Sequence, residues 1–230
     1  MHPPRVMAAD AIIVAGGSGI RFGLKKQFLV LDGVPILKRT VSCFAAHPDI
    51  RSIIVVIPAE DREHAHSILG GISRSLTIVE GGATRQQSVW NGLMHAQGSE
   101  FVLIHDAVRP LVTPELITRV LDGINGFDAC IPGLAVANTL KEVDRDIVVR
   151  TVPRTLLYGV QTPQCFRTER IRQAHEAARS RGVIDATDDS KLVEDLGGEV
   201  KVVEGDPFNL KITVKQDMEL AEAILKCRSE

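Results

Sequence analysis

Residues 11–23 read AIIVAGGSGIRFG and join a short apolar run to a glycine-rich loop. The run, residues 11–15, has no polar alternation, which is typical of a strand buried on both faces. Glycines let the backbone bend tightly and turn its N–H groups toward an anion. Arg21 within the loop and Lys26 after it add full positive charges. We interpret the stretch as a first strand followed by a phosphate-binding loop.

Two common phosphate motifs do not fit this loop. The dinucleotide pattern G-x-G-x-x-G, begun at Gly17, has Phe22 at its third glycine position, and the chain has no G-K-[ST] of a P-loop. A glycine loop with its own cations suits a triphosphate. The structural alternative is a tight strand-to-helix connection with surface Arg and Lys.

Strands and helices alternate along the rest of the chain. Apolar runs recur at 53–57, 101–104, 200–203 and 210–214, and helical spacing follows Pro35 and Thr113-Pro114. We predict each proline at the first helical position and Thr113 as a cap. The alternation predicts an α/β fold, a Rossmann-like three-layer sandwich with a mainly parallel sheet, as a single domain over residues 1–230. Such sheets bind ligands beyond the carboxyl ends of their strands.

Composition narrows the range of partners. The chain has 230 residues, of which 44% are hydrophobic and 24% charged, and a formal net charge of −2. This balance argues against a nucleic-acid partner. No run approaches the roughly 20 apolar residues of a membrane span, so no membrane partner is expected. Four scattered cysteines without a C-x-x-C pair favour a reducing cytoplasm over a disulfide framework or a zinc ribbon.

One segment departs from the alternation. Residues 135–143 and 147–153 are two β-like runs around the polar residues 144–146, and they predict a hairpin. One interpretation is a solvated edge hairpin. The other is a protruding arm that reaches a second subunit, because an isolated two-stranded ribbon is marginal without a packing partner.

A second glycine turn, Gly81-Gly82, precedes a predicted helix. Thr84 and Gln87 have the spacing of a capping box, with Thr84 as the N-cap. Adjacent glycines before a helix let a flat ring approach the backbone closely, whereas the structural alternative is a simple glycine turn.

A third candidate strand ends in His105-Asp106-Ala107-Val108-Arg109, where an open α/β sheet places its ligands. Asp106 can accept hydrogen bonds from substrate hydroxyls or hold a metal-bound water. The structural alternative is an Asp106–Arg109 ion pair that closes the loop.

Two further polar residues lie late in the chain. Period-2 alternation over residues 210–214 predicts a strand that points Lys211, with Asn209 and Thr213, away from the apolar side. Thr187, followed by two aspartates, is typical of a helix N-cap with acids in the first turn. A solvated lysine and a simple cap are the structural alternatives.

Other enzyme classes lose support. The chain has no G-x-S-x-G elbow and no H-E-x-x-H motif, which argues against the common hydrolase and metalloprotease sites.

Taken in order, these segments resemble the sugar-phosphate nucleotidyltransferases, and more closely the 2-C-methyl-D-erythritol 4-phosphate cytidylyltransferases of the non-mevalonate isoprenoid pathway. The resemblance spans nearly the whole chain. It rests on A-G-G-x-G-x-R from Ala15, K-Q from Lys26, G-G-x-x-R from Gly81, S-V from Ser88, H-D-A-x-R-P from His105, T-P-Q from Thr162, T-D-D from Thr187 and N-x-K-I-T from Asn209.

The resemblance implies roles for matching positions. It implies that CTP is bound by Ala15, Gly16, Gly17, Gly19, Gly81, Gly82 and Ser88, and that the catalytic cations are Arg21, Lys26 and Lys211. It implies that the polyol phosphate is bound by Asp106, Ala107, Arg109, Thr139, Arg154, Thr162 and Thr187. Thr139 and Arg154 fall in the hairpin, which in the family crosses to the neighbouring subunit of a homodimer.

The implied reaction is attack by the acceptor's phosphate oxygen on the α-phosphorus of CTP, which releases pyrophosphate. A phosphate monoester is mostly dianionic at neutral pH, so no side-chain base is required. Catalysis then reduces to positioning and to charge neutralisation by the three cations and Mg²⁺, with Asp106 as the candidate metal ligand, directly or through water.

Three positions depart from the family pattern. Val14 and Lys25 stand where prolines are common, and Ala83 stands where an acid is frequent. The rival interpretations are a ribitol 5-phosphate cytidylyltransferase, a nucleotide-binding regulator without turnover and, more distantly, a dinucleotide oxidoreductase.

Overall fold

The computed structural model describes residues 8–16, 25–72 and 74–229. The predicted site residues Gly17, Gly19 and Arg21 lie outside the described residues. The strands are β1 (Ala9–Val14), β2 (Val30–Leu31), β3 (Val34–Pro35), β4 (Ile50–Ile57), β5 (Ser75–Glu80), β6 (Phe101–Asp106), β7 (Ala129–Ala135), β8 (Leu140–Asp144), β9 (Ile147–Val152), β10 (Tyr158–Val160), β11 (Gln164–Arg167) and β12 (Val200–Glu204). The helices are α1 (Ile36–Ala46), α2 (Arg62–Leu69), α3 (Arg85–Leu93), α4 (Pro114–Gly123), α5 (Thr168–Ser180), α6 (Asp189–Glu194) and α7 (Lys215–Ser229).

The central sheet is mainly parallel, as predicted. Its strands run in the order β10-β7-β11-β6-β1-β4-β5, and β12 joins β7. The pairs of β1 with β4 and β6, of β4 with β5 and of β7 with β12 are parallel. β10 and β11 run antiparallel to their neighbours. The antiparallel β11 therefore separates β6 from β7.

Helices cover both faces of the sheet. Successive strand side chains point to opposite faces, so Ile13 and Leu103 pack with α1, α2 and α4, whereas Ile12 and Val102 pack with α3, α5 and α6. All four side chains are fully buried. This double burial explains the missing polar alternation and confirms the three-layer sandwich.

The start of α4 is as predicted, whereas the start of α1 differs by one residue. Thr113 Oγ1 accepts from Leu116 N at 3.3 Å and Pro114 is the first residue of α4, as predicted. Pro35, in contrast, precedes α1 as its N-cap residue, so the prediction is wrong by one position. Pro35 pairs with Val30 in the small β2–β3 sheet, and its extended backbone excludes it from the helix.

Residues 210–214 form no strand, contrary to the prediction. Asn209 is buried and Val214 is exposed, so the predicted two-faced alternation is broken. Separate hydrogen bonds, instead of strand pairing, hold this part of the chain. The side-chain amide of Asn209 donates to Thr162 O at 2.8 Å, and Ile212 N donates to Val108 O at 2.9 Å.

The hairpin is present as β8 and β9, which pair antiparallel around Arg145 and Asp146. Both turn residues have positive φ, which a tight hairpin turn requires. The first strand begins at Leu140 rather than at 135, because Ala135 belongs to β7 and pairs with β10. The role of this ribbon as a dimer arm stays a prediction.

None of the helices within the described ranges has the length and apolarity of a membrane span.

Candidate active site

The carboxyl ends of four parallel strands meet at one edge of the sheet. Val14 of β1 lies in register with Asp106 of β6, and Ile57 of β4 with Glu80 of β5. The chain segments that leave this edge are therefore neighbours, as the open α/β architecture predicts.

Backbone hydrogen bonds hold these segments to the strands. Ala15 N donates to β4 at 2.8 Å, Gly81 N donates to the last residue of β4 at 2.9 Å, and Ala107 N donates to the last residue of β1 at 3.0 Å. Three predicted site residues thus lie side by side at the edge.

The antiparallel β11 brings a fourth segment to the same edge. Gln164, at the start of β11, pairs with Ile104 near the end of β6. Asp106 N donates to Thr162 Oγ1 at 3.2 Å. Because β11 runs antiparallel to β6, Thr162, which precedes β11, lies next to the end of β6.

Ser88 of α3 lies between the two glycine segments. Its hydroxyl donates to Thr84 O at 2.9 Å and accepts from Gly82 N at 3.0 Å. The Ser88 oxygen is 3.2 Å from where a Cβ on Gly81 would lie and 3.6 Å from one on Gly16. A side chain at Gly81 would crowd this hydroxyl, so glycine permits the close approach.

Thr84 is the N-cap of α3, as predicted, but the reciprocal bond of a capping box is displaced by one residue. Thr84 Oγ1 accepts from Gln87 N at 3.1 Å. Gln87 Oε1 in turn accepts from Ala83 N at 3.1 Å, one residue before the cap. The Gly81-Gly82 turn is therefore fixed to α3 by side chains as well as by the backbone.

Asp106 contacts three cations. Its Oδ2 lies 2.8 Å from Lys211 Nζ and 3.8 Å from Arg109 Nε, and its Oδ1 lies 3.4 Å from Arg85 Nε. Burial acts to raise the pKa of Asp106, but the three cations hold this pKa well below its usual range. The Asp106–Arg109 pair considered from the sequence is present, within a larger cluster.

His105, the residue before Asp106, is a neutral ring that supports this cluster through two hydrogen bonds. Burial lowers the pKa of His105 to about 3. Its Nε2 lies 3.2 Å from Arg109 O, and its Nδ1 lies 2.9 Å from Thr162 Oγ1. Because a carbonyl only accepts, Nε2 carries the proton and Nδ1 accepts from the hydroxyl. The Thr162 proton is thus committed, which leaves this hydroxyl as an acceptor toward any ligand.

Asn209 holds the segment that carries Lys211 against Arg109 and Thr162. Its backbone carbonyl accepts from Arg109 Nη1 at 2.8 Å, while its side-chain amide donates to Thr162 O at 2.8 Å. Lys211 is two residues further on, which explains how an exposed lysine reaches Asp106 without strand pairing.

Lys26 approaches the same segment from a 3₁₀ turn, Lys26–Phe28. Its Nζ lies 3.5 Å from Thr213 O. The amides of Thr213 and Val214 and the Thr213 hydroxyl all donate to Asp217 Oδ2, at 2.6–2.9 Å. Partial burial acts to raise the pKa of Asp217, but these hydrogen bonds lower it overall. Both described catalytic candidates, Lys26 and Lys211, therefore border one fixed segment.

Arg85 extends the cluster to α6. Its Nη1 lies 2.7 Å from Asp189 Oδ2, and Asp189 Oδ1 lies 3.3 Å from His175 Nε2 of α5. Asp189 and His175 are both fully buried. One guanidinium therefore bridges two carboxylates, Asp106 and Asp189, on different elements.

Helix α6 is capped by Asp188, so the prediction of Thr187 as the cap is wrong. Asp188 Oδ1 accepts from Lys191 N at 3.1 Å, and its Oδ2 accepts from Gln164 Nε2 at 2.9 Å. The bond to Gln164 fixes Asp188 at the cap position, and Thr187 is left exposed before it.

Thr139 and Arg154 lie apart from the other acceptor candidates. Thr139 directly precedes β8, Arg154 follows β9, and both side chains are exposed. Within the described part of the chain, no hydrogen bond joins either side chain to the Asp106 cluster.

The site fits a metal held mainly by substrate. In the described ranges, no three His, Cys, Asp or Glu side chains gather into a metal-binding group. Mg²⁺ is commonly bound by one or two carboxylates, waters and substrate phosphates rather than by a protein cage. The single ionised carboxylate of Asp106 at the sheet edge is compatible with that arrangement.

Comparison with known proteins identifies the family. Residues 9–227 match the family described as IspD, 2-C-methyl-D-erythritol 4-phosphate cytidylyltransferase. The chain belongs to the IspD family.

Relatives and a solved structure agree along the full length of this IspD chain. The 2-C-methyl-D-erythritol 4-phosphate cytidylyltransferase of Geobacter metallireducens is 42% identical over 229 residues, which cover 96% of this chain and 98% of the relative. That of Geobacillus kaustophilus is 39% identical over 226 residues, covering 96% and 99%. The solved 4-diphosphocytidyl-2C-methyl-D-erythritol synthase of Anaerococcus prevotii has a TM-score of 0.85 and 32% identity, covering 96% and 99%.

Several residues that build this IspD site are not among the predicted site residues. His105, Asn209, Asp189 and His175 are all buried polar groups that hold site residues in place. The first three lie within or beside the quoted motifs, which is the signal that could have found them. His175 carries no such signal, because only the packing of α5 brings it to Asp189.

Proposed function

We propose that this IspD chain joins CTP and 2-C-methyl-D-erythritol 4-phosphate at the carboxyl edge of its sheet. A phosphate oxygen of the acceptor attacks the α-phosphorus, the bond to the bridging oxygen breaks, and pyrophosphate leaves. The observation that carries the proposal is the surplus of cations around Asp106, at the sheet edge that also holds Ala15 and the Gly81-Gly82 turn, in a chain of this family.

The acceptor phosphate serves as its own nucleophile. Its second pKa is near 6, so it is mostly dianionic at pH 7 and needs no protein base. The histidine nearest to the cluster, His105, uses both ring nitrogens in structural hydrogen bonds. The chain's task is then to align two anions and to offset their charge.

The glycine segments receive the nucleotide. We assign the triphosphate to Ala15, Gly16, Gly17 and Gly19 with Arg21 and Lys26, and the cytosine to the Gly81-Gly82 turn with Ser88. The hydrogen bonds of Ser88 to Thr84 and Gly82 support this assignment, because they fix a rigid turn against which a planar base can lie.

The Asp106 cluster receives the acceptor. Lys211 can move its ammonium from Asp106 to a phosphate oxygen, because Arg85 and Arg109 still compensate the carboxylate. We assign hydroxyl and phosphate contacts to Asp106, Ala107, Arg109, Thr162 and Thr187. When bound, Mg²⁺ would neutralise triphosphate charge, with Asp106 as its protein ligand, directly or through water.

We further propose that the chain works as a homodimer. The ribbon and the segment after it expose large apolar side chains, among them Ile147 at 72% and Leu156 at 88%. Clustered apolar surface of this kind marks interaction sites. A second subunit would cover it and would supply the Thr139 and Arg154 that lie apart from the cluster in one chain.

The cysteines support a cytoplasmic location. Cys43, Cys130, Cys165 and Cys227 are all unpaired, as expected in a reducing compartment.

The test is pyrophosphate release from CTP and Mg²⁺ with each of two acceptors, 2-C-methyl-D-erythritol 4-phosphate and ribitol 5-phosphate. We expect turnover with the first. Turnover of ribitol 5-phosphate alone would contradict the acceptor, and tight CTP binding without turnover of either would indicate a regulator.

A further inference from the structure

We infer that Arg85 and Asp189 are positioning residues that set the spacing between Asp106 and Thr187, and thereby the fit of the polyol phosphate. The inference rests on the proposed function, because Asp106 and Thr187 are assigned to the acceptor there. Arg85 and Asp189 act through their neighbours and carry no assigned substrate contact.

The spacing is set by one rigid group. Arg85 Nη1 contacts Asp189 Oδ2 at 2.7 Å, while its Nε contacts Asp106 Oδ1 at 3.4 Å. A guanidinium is planar and presents its donors in a fixed fork, so it can hold two carboxylates at a defined separation. A lysine ammonium would supply the same charge on a flexible stem without this geometry.

The far end of the bridge is anchored in the protein interior. Asp189 is 1% exposed, and its second oxygen lies 3.3 Å from the buried His175 Nε2. Asp189 also lies in the first turn of α6, where backbone N–H groups favour a negative charge. It therefore cannot follow Arg85 into solvent.

The connection that carries Thr187 is tied to the same helix, α3. Gln86 Nε2 donates to Val183 O at 2.9 Å, and Gln86 Oε1 accepts from Ala186 N at 3.0 Å. Thr187 thus lies between a link through Gln86 and a link through Arg85. Any shift of α3 against β6 would move Thr187 relative to Asp106.

The nucleotide segments depend on different contacts. The Gly81-Gly82 turn is held by Ser88, Thr84 and Gln87, which make no use of Asp189. Asp106 keeps its contacts with Lys211 and Arg109 when the bridge is lost, so Thr187 is the end that should move. Loss of the bridge should therefore disturb the acceptor and spare CTP, a split that a general loss of stability would not produce.

The experiment compares Arg85→Lys, Asp189→Asn and the double variant with wild type. We expect the KM for 2-C-methyl-D-erythritol 4-phosphate to rise by roughly 10- to 100-fold, because a small misplacement of a binding group has effects of that size. The KM for CTP should stay within about threefold of wild type. The double variant should be little worse than either single variant, because both changes break one bridge.

Asp10→Asn provides the matched control. Asp10 is also fully buried and ion-paired, with Arg51 Nη2 at 2.7 Å, but it lies at the opposite end of β1. The Asp10→Asn variant should have a lower melting temperature, but the ratio of its KM for the acceptor to its KM for CTP should equal that of wild type. Arg85→Lys leaves a cation beside both carboxylates, so it keeps the test available if Asp189→Asn does not fold.

Four results would overturn the inference. Equal rises in both KM values, or a rise in the acceptor KM with Asp10→Asn at the same loss of stability, would show a merely structural role. If wild type turns over normally and the bridge variants keep its KM values, the inference alone fails. If wild type turns over no polyol phosphate, the proposed function fails and the inference with it.

Discussion

One carboxylate, Asp106, contacts three side-chain cations at the sheet edge. The Lys211 ammonium is the most exposed of the three, with 44% of its side chain accessible, whereas the two arginines are largely covered. Lys211 is thus the cation that can change partner, and the arginines are the ones that stay. Substitution of Lys211 is therefore expected to have different consequences from substitution of either arginine.

Replacement of Lys211 should remove activity and preserve the fold. We expect Lys211→Met to lower kcat/KM by about 10²- to 10³-fold, the effect of losing one preorganised charge-stabilising group. Pyrophosphate release measures the loss, and thermal unfolding checks the fold. Lys201→Met, at an exposed lysine of β12, is the control and should retain near-normal rates; equal losses in both variants would refute the role.

The buried His105 should make stability fall in acid. Its pKa is about 3 in the folded chain because of burial, below the ordinary value near 6.5 in an unfolded chain. Between these values only the unfolded state takes up this proton, so the free energy of unfolding decreases as the pH falls. The contribution of this residue is about 1.4 kcal/mol per pH unit.

Denaturant titrations from pH 7 to pH 4.5 would measure this slope. We expect His105→Gln to have a shallower pH dependence than wild type, although it is less stable at pH 7. His66→Gln, on the exposed side of α2, is the control and should keep the wild-type slope. Parallel slopes for wild type and His105→Gln would contradict the assignment.

At the scale of elements, helix α3 is the part on which the site depends most. It carries Thr84 at its cap, Arg85 in its first turn and Ser88 against the Gly81-Gly82 turn. Its close seat on the sheet depends on Gly92, where a Cβ would lie 2.7 Å from Ile12 Cγ2 and 3.0 Å from Val56 Cγ2. The absence of a side chain there sets how near the helix lies to β1 and β4.

Gly92→Ala should therefore destabilise the chain despite the better helix propensity of alanine. Alanine gains about 1 kcal/mol in a helix, but overpacking against β1 costs about 1–3 kcal/mol. We expect a net loss in the free energy of unfolding, and a raised KM for the acceptor as α3 shifts. Ser67→Ala, exposed on α2, should change stability by less than about 0.5 kcal/mol. A more stable Gly92→Ala variant would contradict the close packing.

Local signals in the sequence predicted local structure well. Thr84 with Gln87 and Thr113 with Pro114 act within one turn of their helices, so their roles needed no tertiary information. The error at Pro35 has a tertiary cause, its pairing with Val30 in β2–β3.

Long-range pairings could not be predicted in the same way. Arg85 and Asp189 are 104 positions apart, and nothing in either neighbourhood indicates the other. The short β11 has the sequence QCFR, which carries no mark of its antiparallel direction. Residues 210–214 have a strand-like pattern, but Ile212 N donates to Val108 O, which lies in the connection after β6 and not in a strand. Burial and direction are set by the assembled sheet.

At the scale of the whole molecule, the site is incomplete within one chain if the dimer proposal holds. Lys211 lies in the cluster of its own subunit, whereas Arg154 would act on the neighbouring one. Two inactive variants can then restore activity in a mixed dimer only if one lacks Lys211 and the other lacks Arg154.

Mixed dimers should regain activity. When Arg154→Ala and Lys211→Ala subunits exchange, each heterodimer contains one site with both residues intact. Random assortment of equal amounts predicts about a quarter of wild-type activity. Pyrophosphate release after mixing measures it, with Lys211→Ala mixed with itself as the control. No recovery in subunits proven to exchange would refute the shared site.

The sheet order also has a consequence during synthesis on the ribosome. β6 gains one neighbour, β1, from earlier in the chain, but its other neighbour, β11, is translated only from Gln164 onward. At about 5–20 residues per second, the stretch from Asp106 to Gln164 takes roughly 3–12 s. For that time a nascent chain presents one bare strand edge rich in apolar side chains, which is the kind of template that recruits foreign strands. Newly made chains of this protein should therefore need most protection from aggregation before the last third has emerged.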